Sequence, residues 1–188
     1  KTDHECHTYD ELIERVRRGM YVHIREGTVA KNLKELIKGV SIHNSRKLCL
    51  CTDDKHIDDL LKQGSIDNSI RLCIKNGLNP EISIQMATLN PAECYGLRTK
   101  GAIAPGYIAD FLILDSLHDF KISSVYKNGI LVVKNNSLIN KTDDYFEINV
   151  KTTINIPNLT KKHFNISLQN KSIINVIEII PNSLKTNH

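Results

Sequence analysis

Apolar residues recur along this chain first at helical and then at strand spacing, and each change of period marks an element. Leu12, Ile13, Val16 and Met20 form one helical stripe behind Thr8-Tyr9-Asp10-Glu11, whose Thr and Glu have capping-box spacing. A helix is therefore expected from Thr8, with Gly19 as its stop. Met20-Tyr21-Val22-His23-Ile24-Arg25 reads as a strand that gives way to the polar loop Glu26-Gly27-Thr28, and Leu33, Leu36, Ile37 and Val40 define a second helix. Leu48-Cys49-Leu50-Cys51 is a short apolar strand that delivers Thr52-Asp53-Asp54 at its carboxyl end. From about Ile57 to Tyr95 the pattern is helical, cut at Gly64, Asn76-Gly77, Asn79-Pro80 and Asn90-Pro91, and closed by Gly96. In both Asn-Pro steps Asn is expected at the N-cap and Pro at the first helical position.

After Gly101 the texture becomes β. Ala102-Ile103-Ala104-Pro105-Gly106 turns into Phe111-Leu112-Ile113-Leu114-Asp115, and Val125-Tyr126-Lys127 and Ile130-Leu131-Val132 flank Asn128-Gly129, a strong hairpin signal. Beyond Gly129 there is no glycine, and Asn, Lys, Ile and Thr dominate; Val150, Thr153 and Ile156 are too sparse to build a core of their own.

Composition excludes several classes of function. The 25 basic and 21 acidic residues leave a net charge of +4 without a run of like charges, which argues against a nucleic-acid partner. Aromatics at 5% and the absence of Trp leave little for base stacking. No apolar run approaches the roughly 18 residues of a membrane span, and no charged-then-apolar leader opens the chain, so a cytoplasmic location is expected. Cys6, Cys49, Cys51, Cys73 and Cys94 have neither zinc-ribbon nor CxxC spacing and read as thiols in a reducing compartment.

Candidate chemistry gathers at the carboxyl ends of the strands. A histidine in Thr2-Asp3-His4-Glu5 and an aspartate in Thr52-Asp53-Asp54 offer an imidazole nitrogen and a carboxylate oxygen to a divalent metal. A carboxylate beside metal-activated water can take its proton and pass it to a leaving group, which suits Asp53 as ligand and general base. The same residues have plainer readings. His4 serves equally as a histidine of a polar loop, and Asp53 and Asp54 as caps of the helix near His56. Arg25-Glu26-Gly27-Thr28 is either a set of polar contacts for a heterocycle or a charged turn. Cys49-x-Cys51 is read as core packing, and His7, His23, His43 and His56 as structural or solvated.

Taken together, Thr2-Asp3-His4-Glu5-Cys6, Gly19-Met20-Tyr21-Val22, Ile24-Arg25-Glu26-Gly27-Thr28, Thr52-Asp53-Asp54 and Ala87-Thr88-Leu89-Asn90-Pro91-Ala92 resemble the adenine deaminases of the amidohydrolase superfamily. Gly101-Ala102-Ile103-Ala104-Pro105-Gly106-Tyr107-Ile108-Ala109-Asp110-Phe111 is similar to the return of superfamily chains from their barrel into a small β domain, and Ile179-Ile180-Pro181-Asn182-Ser183-Leu184 to a segment particular to the deaminases. The resemblance implies an α/β fold, the C-terminal part of a metal-dependent TIM-like (β/α)8 barrel followed by a small β domain. Residues 1–98 would be the end of the barrel (strands six to eight and following helices), 99–134 the return into the β domain, and 135–188 an Asn/Lys/Ile-rich start of the C-terminal deaminase region.

The implied reaction converts adenine and water to hypoxanthine and ammonia, with manganese as the expected metal and iron or zinc as alternatives. By motif match His4 takes the sixth-strand ligand position, Asp53 the eighth-strand ligand and proton shuttle, and Arg25 and Glu26 a seventh-strand loop with a substrate role. The first-strand H-x-H pair, a bridging acid and a fifth-strand histidine are absent from this sequence. The chain is therefore expected to need the N-terminal half of its barrel and to be inactive alone; self-association into a homo-oligomer is left open. His7 and Thr28 depart from the family's usual residues. The rival readings are another amidohydrolase acting on a cyclic amide or amine, and a truncated non-catalytic remnant.

Overall fold

Alternation along a parallel β-sheet organises the first half of the molecule, seen here in a computed structural model that describes residues 1–140, 153–167 and 173–187. Strands β1 (Thr2–Asp3), β2 (Tyr21–Arg25) and β3 (Leu48–Cys51) lie side by side in that order, all parallel, with Val22 opposite Asp3 and Leu48, and Arg25 opposite Cys51. Successive residues of a strand point to opposite faces. Val22, Ile24, Leu48 and Leu50 accordingly join one apolar cluster with helix residues, while His23, Arg25, Cys49 and Cys51 occupy the other face. Among the described residues the sheet does not close into a barrel.

Helices cover the apolar face. Helix α1 (Tyr9–Arg17) starts at the expected capping box: Glu11 N–H donates to Thr8 Oγ1 at 3.3 Å, and Thr8 N–H to Glu11 Oε2 at 3.0 Å. It buries Leu12 completely. The stripe from Leu33 forms the one-turn helix α2 (Leu33–Leu36), extended by a 3₁₀ turn over Ile37–Gly39. Helices α3 (Ile57–Gln63), α4 (Ile66–Lys75), α5 (Pro80–Ala87) and α6 (Leu89–Cys94) follow β3, and Ile70, Cys73 and Met86 complete the core. Fully burying each of its large aliphatic side chains contributes about 1.5–3 kcal/mol.

The two Asn-Pro steps behave differently. Asn79 caps α5 as expected, accepting from Ile82 N–H at 3.0 Å, with Pro80 as the first helical residue. Asn90 does not cap. It lies inside α6, which begins after Thr88, and its fully buried amide donates to the carbonyls of Ser45 and Leu48, each at 2.7 Å. Those carbonyls flank the start of β3, where burial makes an unpartnered acceptor costly. Pro91 is tolerated because the first N–H groups of a helix need no partner within it.

The β region begins after α6. Strands β4 (Phe111–Ser116), β5 (Lys121–Lys127), β6 (Ile130–Lys134) and β7 (Ser137–Leu138) form an antiparallel sheet in sequence order. Asn128 and Gly129 both take positive φ, 51° and 78°, as the expected two-residue hairpin requires. Phe120, in the turn before β5, is buried in the helical cluster and ties the sheet to it. Among residues 153–167 and 173–187 the chain forms a 3₁₀ turn, Lys161–Phe164, and one strand pair, β8 (Glu178–Ile179) with β9 (Thr186–Asn187). Val150 lies outside the described residues.

Asp110 fastens the hairpin to the strand before it. Its carboxylate accepts from Lys127, from Asn128 N–H at 2.9 Å and from Lys100 at 3.1 Å, and these contacts, that of Lys127 foremost, hold its pKa well below the usual carboxylate range. A depressed folded-state pKa means stabilisation that is fully present above the ordinary value of about 4 and lost as pH falls toward the folded one. Thermal melting from neutral pH down to strong acid is expected to fall more steeply in the parent than in Asp110→Asn. Parallel curves would show that this carboxylate is not a source of acid sensitivity.

Candidate active site

Three parallel strands end on one edge, so residues far apart in sequence meet there. His4 follows β1, Arg25 ends β2, and Asp53 follows β3 by two residues. His4 Nε2 lies 4.0 Å from Asp53 Oδ1 and 3.3 Å from Glu5 Oε1. Asp53 has φ of 51°, a left-handed conformation that Asp tolerates better than most residues.

Arg25 is the centre of the arrangement. Its side chain is 1% exposed, yet Nη1 reaches Asp53 Oδ2 at 3.0 Å and Glu5 Oε2 at 3.1 Å, and Nε donates to Asn32 Oδ1 at 3.1 Å. Nη2 is buried and, among the described residues, unpartnered. A guanidinium so deeply placed is stabilised only by acceptors of this kind.

Glu26 is set apart from that group. Neighbouring residues of an extended strand point to opposite sides, and the Glu26 carboxyl feels the Leu33 N–H and the charges of Lys31 and Lys55. Burial raises its pKa, with those three groups opposing. The structure thus joins His4, Arg25 and Asp53 and leaves Glu26 on the helix side.

The two adjacent aspartates also divide. Asp54 does not cap the following helix. Its Oδ2 accepts from Val29 N–H at 2.8 Å and Ala30 N–H at 3.3 Å, tying the end of β3 to the loop after β2. His56 takes the N-cap position of α3, without a side-chain cap bond. Thr28 anchors the same helix, donating to Asp59 Oδ2 at 2.6 Å and accepting from His56 N–H at 2.9 Å. The Thr28 departure therefore bears on a loop anchor.

The thiols do not offer a competing centre. Burial pushes Cys49 and Cys51 up to about 12, so both are protonated near neutral pH and poor ligands. His23 pairs with Tyr95 Oη at 3.1 Å, and burial lowers its pKa. An apolar cleft of about 710 Å³ between α4–α6 and β4 includes none of His4, Arg25 and Asp53.

A divalent ion bonds imidazole nitrogen and carboxylate oxygen, and these two donors face each other across 4.0 Å on one rim. Among the described residues no group of three or more His, Cys, Asp or Glu side chains is arranged to hold a metal. The pair fits such an ion as part of a ligand set.

Sequence reasoning missed Asn32 and the role of Glu5. It also set His7 aside, whereas its Nδ1 lies 3.1 Å from Asn32 Nδ2.

A model described as the amidohydrolase family matches residues 2–132. An adenine deaminase of Geobacillus kaustophilus is 49% identical over 190 residues, covering 100% of this chain and 33% of that protein. An adenine deaminase of Lysinibacillus sphaericus is 42% identical over 189 residues, covering 100% and 32%. The chain thus spans about a third of the length of these relatives. Among solved structures, a β-aspartyl dipeptidase of Fervidobacterium islandicum AW-1 superposes with a TM-score of 0.57 at 22% identity, over 72% of this chain and 39% of that one. An enamidase superposes with a TM-score of 0.54 at 19% identity, over 66% and 37%. At such identities the superpositions speak to fold alone.

Proposed function

The chain belongs to the amidohydrolase family, and from that premise we propose that it forms part of an enzyme converting adenine and water to hypoxanthine and ammonia. One observation carries the choice of substrate: along its whole length the chain resembles proteins named adenine deaminase, whereas its likeness to the dipeptidase and the enamidase is one of fold.

In this reading His4 Nε2 and Asp53 Oδ1 hold a divalent metal, manganese in the first instance, with the remaining ligands supplied by the other part of the barrel. When bound, such a metal supplies the Lewis acidity that brings the pKa of water toward neutrality. The Asp53 carboxylate, held at Oδ2 by Arg25, takes one proton of the attacking water and passes it to the ring nitrogen beside the carbon attacked, then carries the remaining hydroxyl proton to the exocyclic nitrogen, so that the carbonyl forms as ammonia departs. Arg25 keeps Oδ2 fixed, so the carboxylate does not turn away from His4. Because even Nη2 is buried, we place Arg25 behind Asp53 and Glu5 and not against the purine. Glu26 contributes through the loop it begins. The five free thiols suit a cytoplasmic enzyme, and among the described residues no helix is long and apolar enough to cross a membrane.

The test is ammonia release by the protein as its own genome encodes it, stripped of metal and reloaded with manganese, on adenine, guanine, cytosine and a cyclic amide. Turnover of adenine that vanishes with the metal and returns with it is expected. Turnover of another substrate in place of adenine would move the protein to a different amidohydrolase activity. A native mass near 21.3 kDa with no turnover at all would favour the remnant.

A further inference from the structure

Asn32 stands where a helix begins but does not cap it. Its carbonyl accepts from Glu35 N–H at 3.1 Å and Leu36 N–H at 3.0 Å, opening α2, yet its side chain makes no cap hydrogen bond. Asn at such a position ordinarily turns its side chain back onto the helix N–H groups. Here the side chain is spent elsewhere. Oδ1 accepts from Arg25 Nε at 3.1 Å, and Nδ2 lies 3.1 Å from His7 Nδ1.

The orientation of the amide follows from its partners. Arg25 has no acceptor, so Oδ1 must face it; the NH₂ group then faces His7, whose Nδ1 accepts and whose proton sits on Nε2. The residue itself is 7% exposed, and its own N–H donates to the Arg25 carbonyl at 3.1 Å. It is thus pinned by main chain and side chain together. One link runs through Arg25 to Asp53 and Glu5, and the other to the segment that carries His4 three residues earlier.

We propose that Asn32 is a positioning residue for the metal-ligand pair, acting through Arg25 on Asp53 and through His7 on the segment of His4. Without its Oδ1, the guanidinium loses the acceptor that fixes rotation about its Nε end. Nη1 then no longer presents one direction to Asp53 Oδ2, and the carboxylate is free to leave the position from which Oδ1 faces His4. This inference rests on the reading of His4 and Asp53 as ligands.

The experiment uses the full-length protein and two readouts, metal affinity by competition with a chromogenic chelator and the separate values of kcat and KM for adenine. Asn32→Leu keeps the branched shape in a somewhat larger side chain without hydrogen-bonding groups, and Asn32→Ala is its smaller companion should one of the two fail to fold. Either variant is expected to lose about 10–100-fold in metal affinity and in kcat, with KM within threefold. Combining it with Arg25→Lys should cost less than the product of the two single losses, because the arm through Arg25 is broken only once. Metal affinity within twofold of the parent, or losses that multiply in the double variant, would overturn the proposal while Asp53 keeps its place as a ligand. A parent protein whose metal affinity does not fall on Asp53→Asn would overturn the ligand reading, and this inference with it.

Discussion

Asp53→Asn is expected to reduce kcat for adenine by about a thousand-fold or more, a loss of about 4 kcal/mol in transition-state stabilisation, while leaving the protein folded. The change removes the charge and the basicity that the proposed proton transfer needs. It keeps the shape of the side chain. The backbone at this position is left-handed, with φ of 51°, and Asn adopts that conformation readily whereas Ala would add strain to the comparison. The measurement is kcat from ammonia release on metal-loaded protein, with thermal melting to confirm folding. A variant that retains a tenth of the parent's turnover would remove Asp53 from the proton pathway.

Gly27→Ala is expected to destabilise the protein by about 2–4 kcal/mol. A Cβ at this glycine would run into Asp54 Oδ1 and stand 2.6 Å from its Cγ and 3.0 Å from the Thr52 carbonyl oxygen. The carboxylate of Asp54 would have to leave, and with it the acceptor for the N–H groups of Val29 and Ala30. Ala30 is buried, so its N–H cannot turn to water, whereas Val29 at the surface can. Urea unfolding of the full-length protein measures the loss. Asp54→Ala removes the two nearest obstacles as well as the acceptor and leaves only the Thr52 carbonyl at 3.0 Å, so the double variant should cost little more than Asp54→Ala alone. A double variant in which the two costs simply add would show that Gly27 is required for some other reason.

The elements were legible because their signals are local. The capping box at Thr8, the stripe of Leu12 and Val16, the alternation of Val22 and Ile24 with His23 and Arg25, and the Asn128-Gly129 turn each lie within a few residues. Asn90 shows the limit. Its dipeptide is identical to Asn79-Pro80, and what separates them is a pair of carbonyls at Ser45 and Leu48, more than 40 residues away in sequence.

The candidate site divides in the same way. His4 and Asp53 could be named from motifs, but which of Asp53 and Asp54 faces His4 depends on the loop after β2. Arg25 could be read from its motif either as a polar contact for a heterocycle or as the first residue of a charged turn. It is buried because Glu5, Asp53 and Asn32, from three segments, supply its acceptors. That Glu26 stands apart from Arg25 was signalled in the sequence, because adjacent residues of a strand do not share a face.

The cysteines carry a practical consequence. Cys6, Cys49 and Cys73 are buried, and burial raises their pKa to about 11, 12 and 12. They belong to the segment after β1, to β3 and to α4. A thiol in that state reacts with an alkylating reagent only when its surroundings open. The natural sequence therefore carries its own set of clocks, one on the segment that follows His4, one on the strand that leads to Asp53 and one on a supporting helix, and mass spectrometry of timed alkylation can read each without an engineered label.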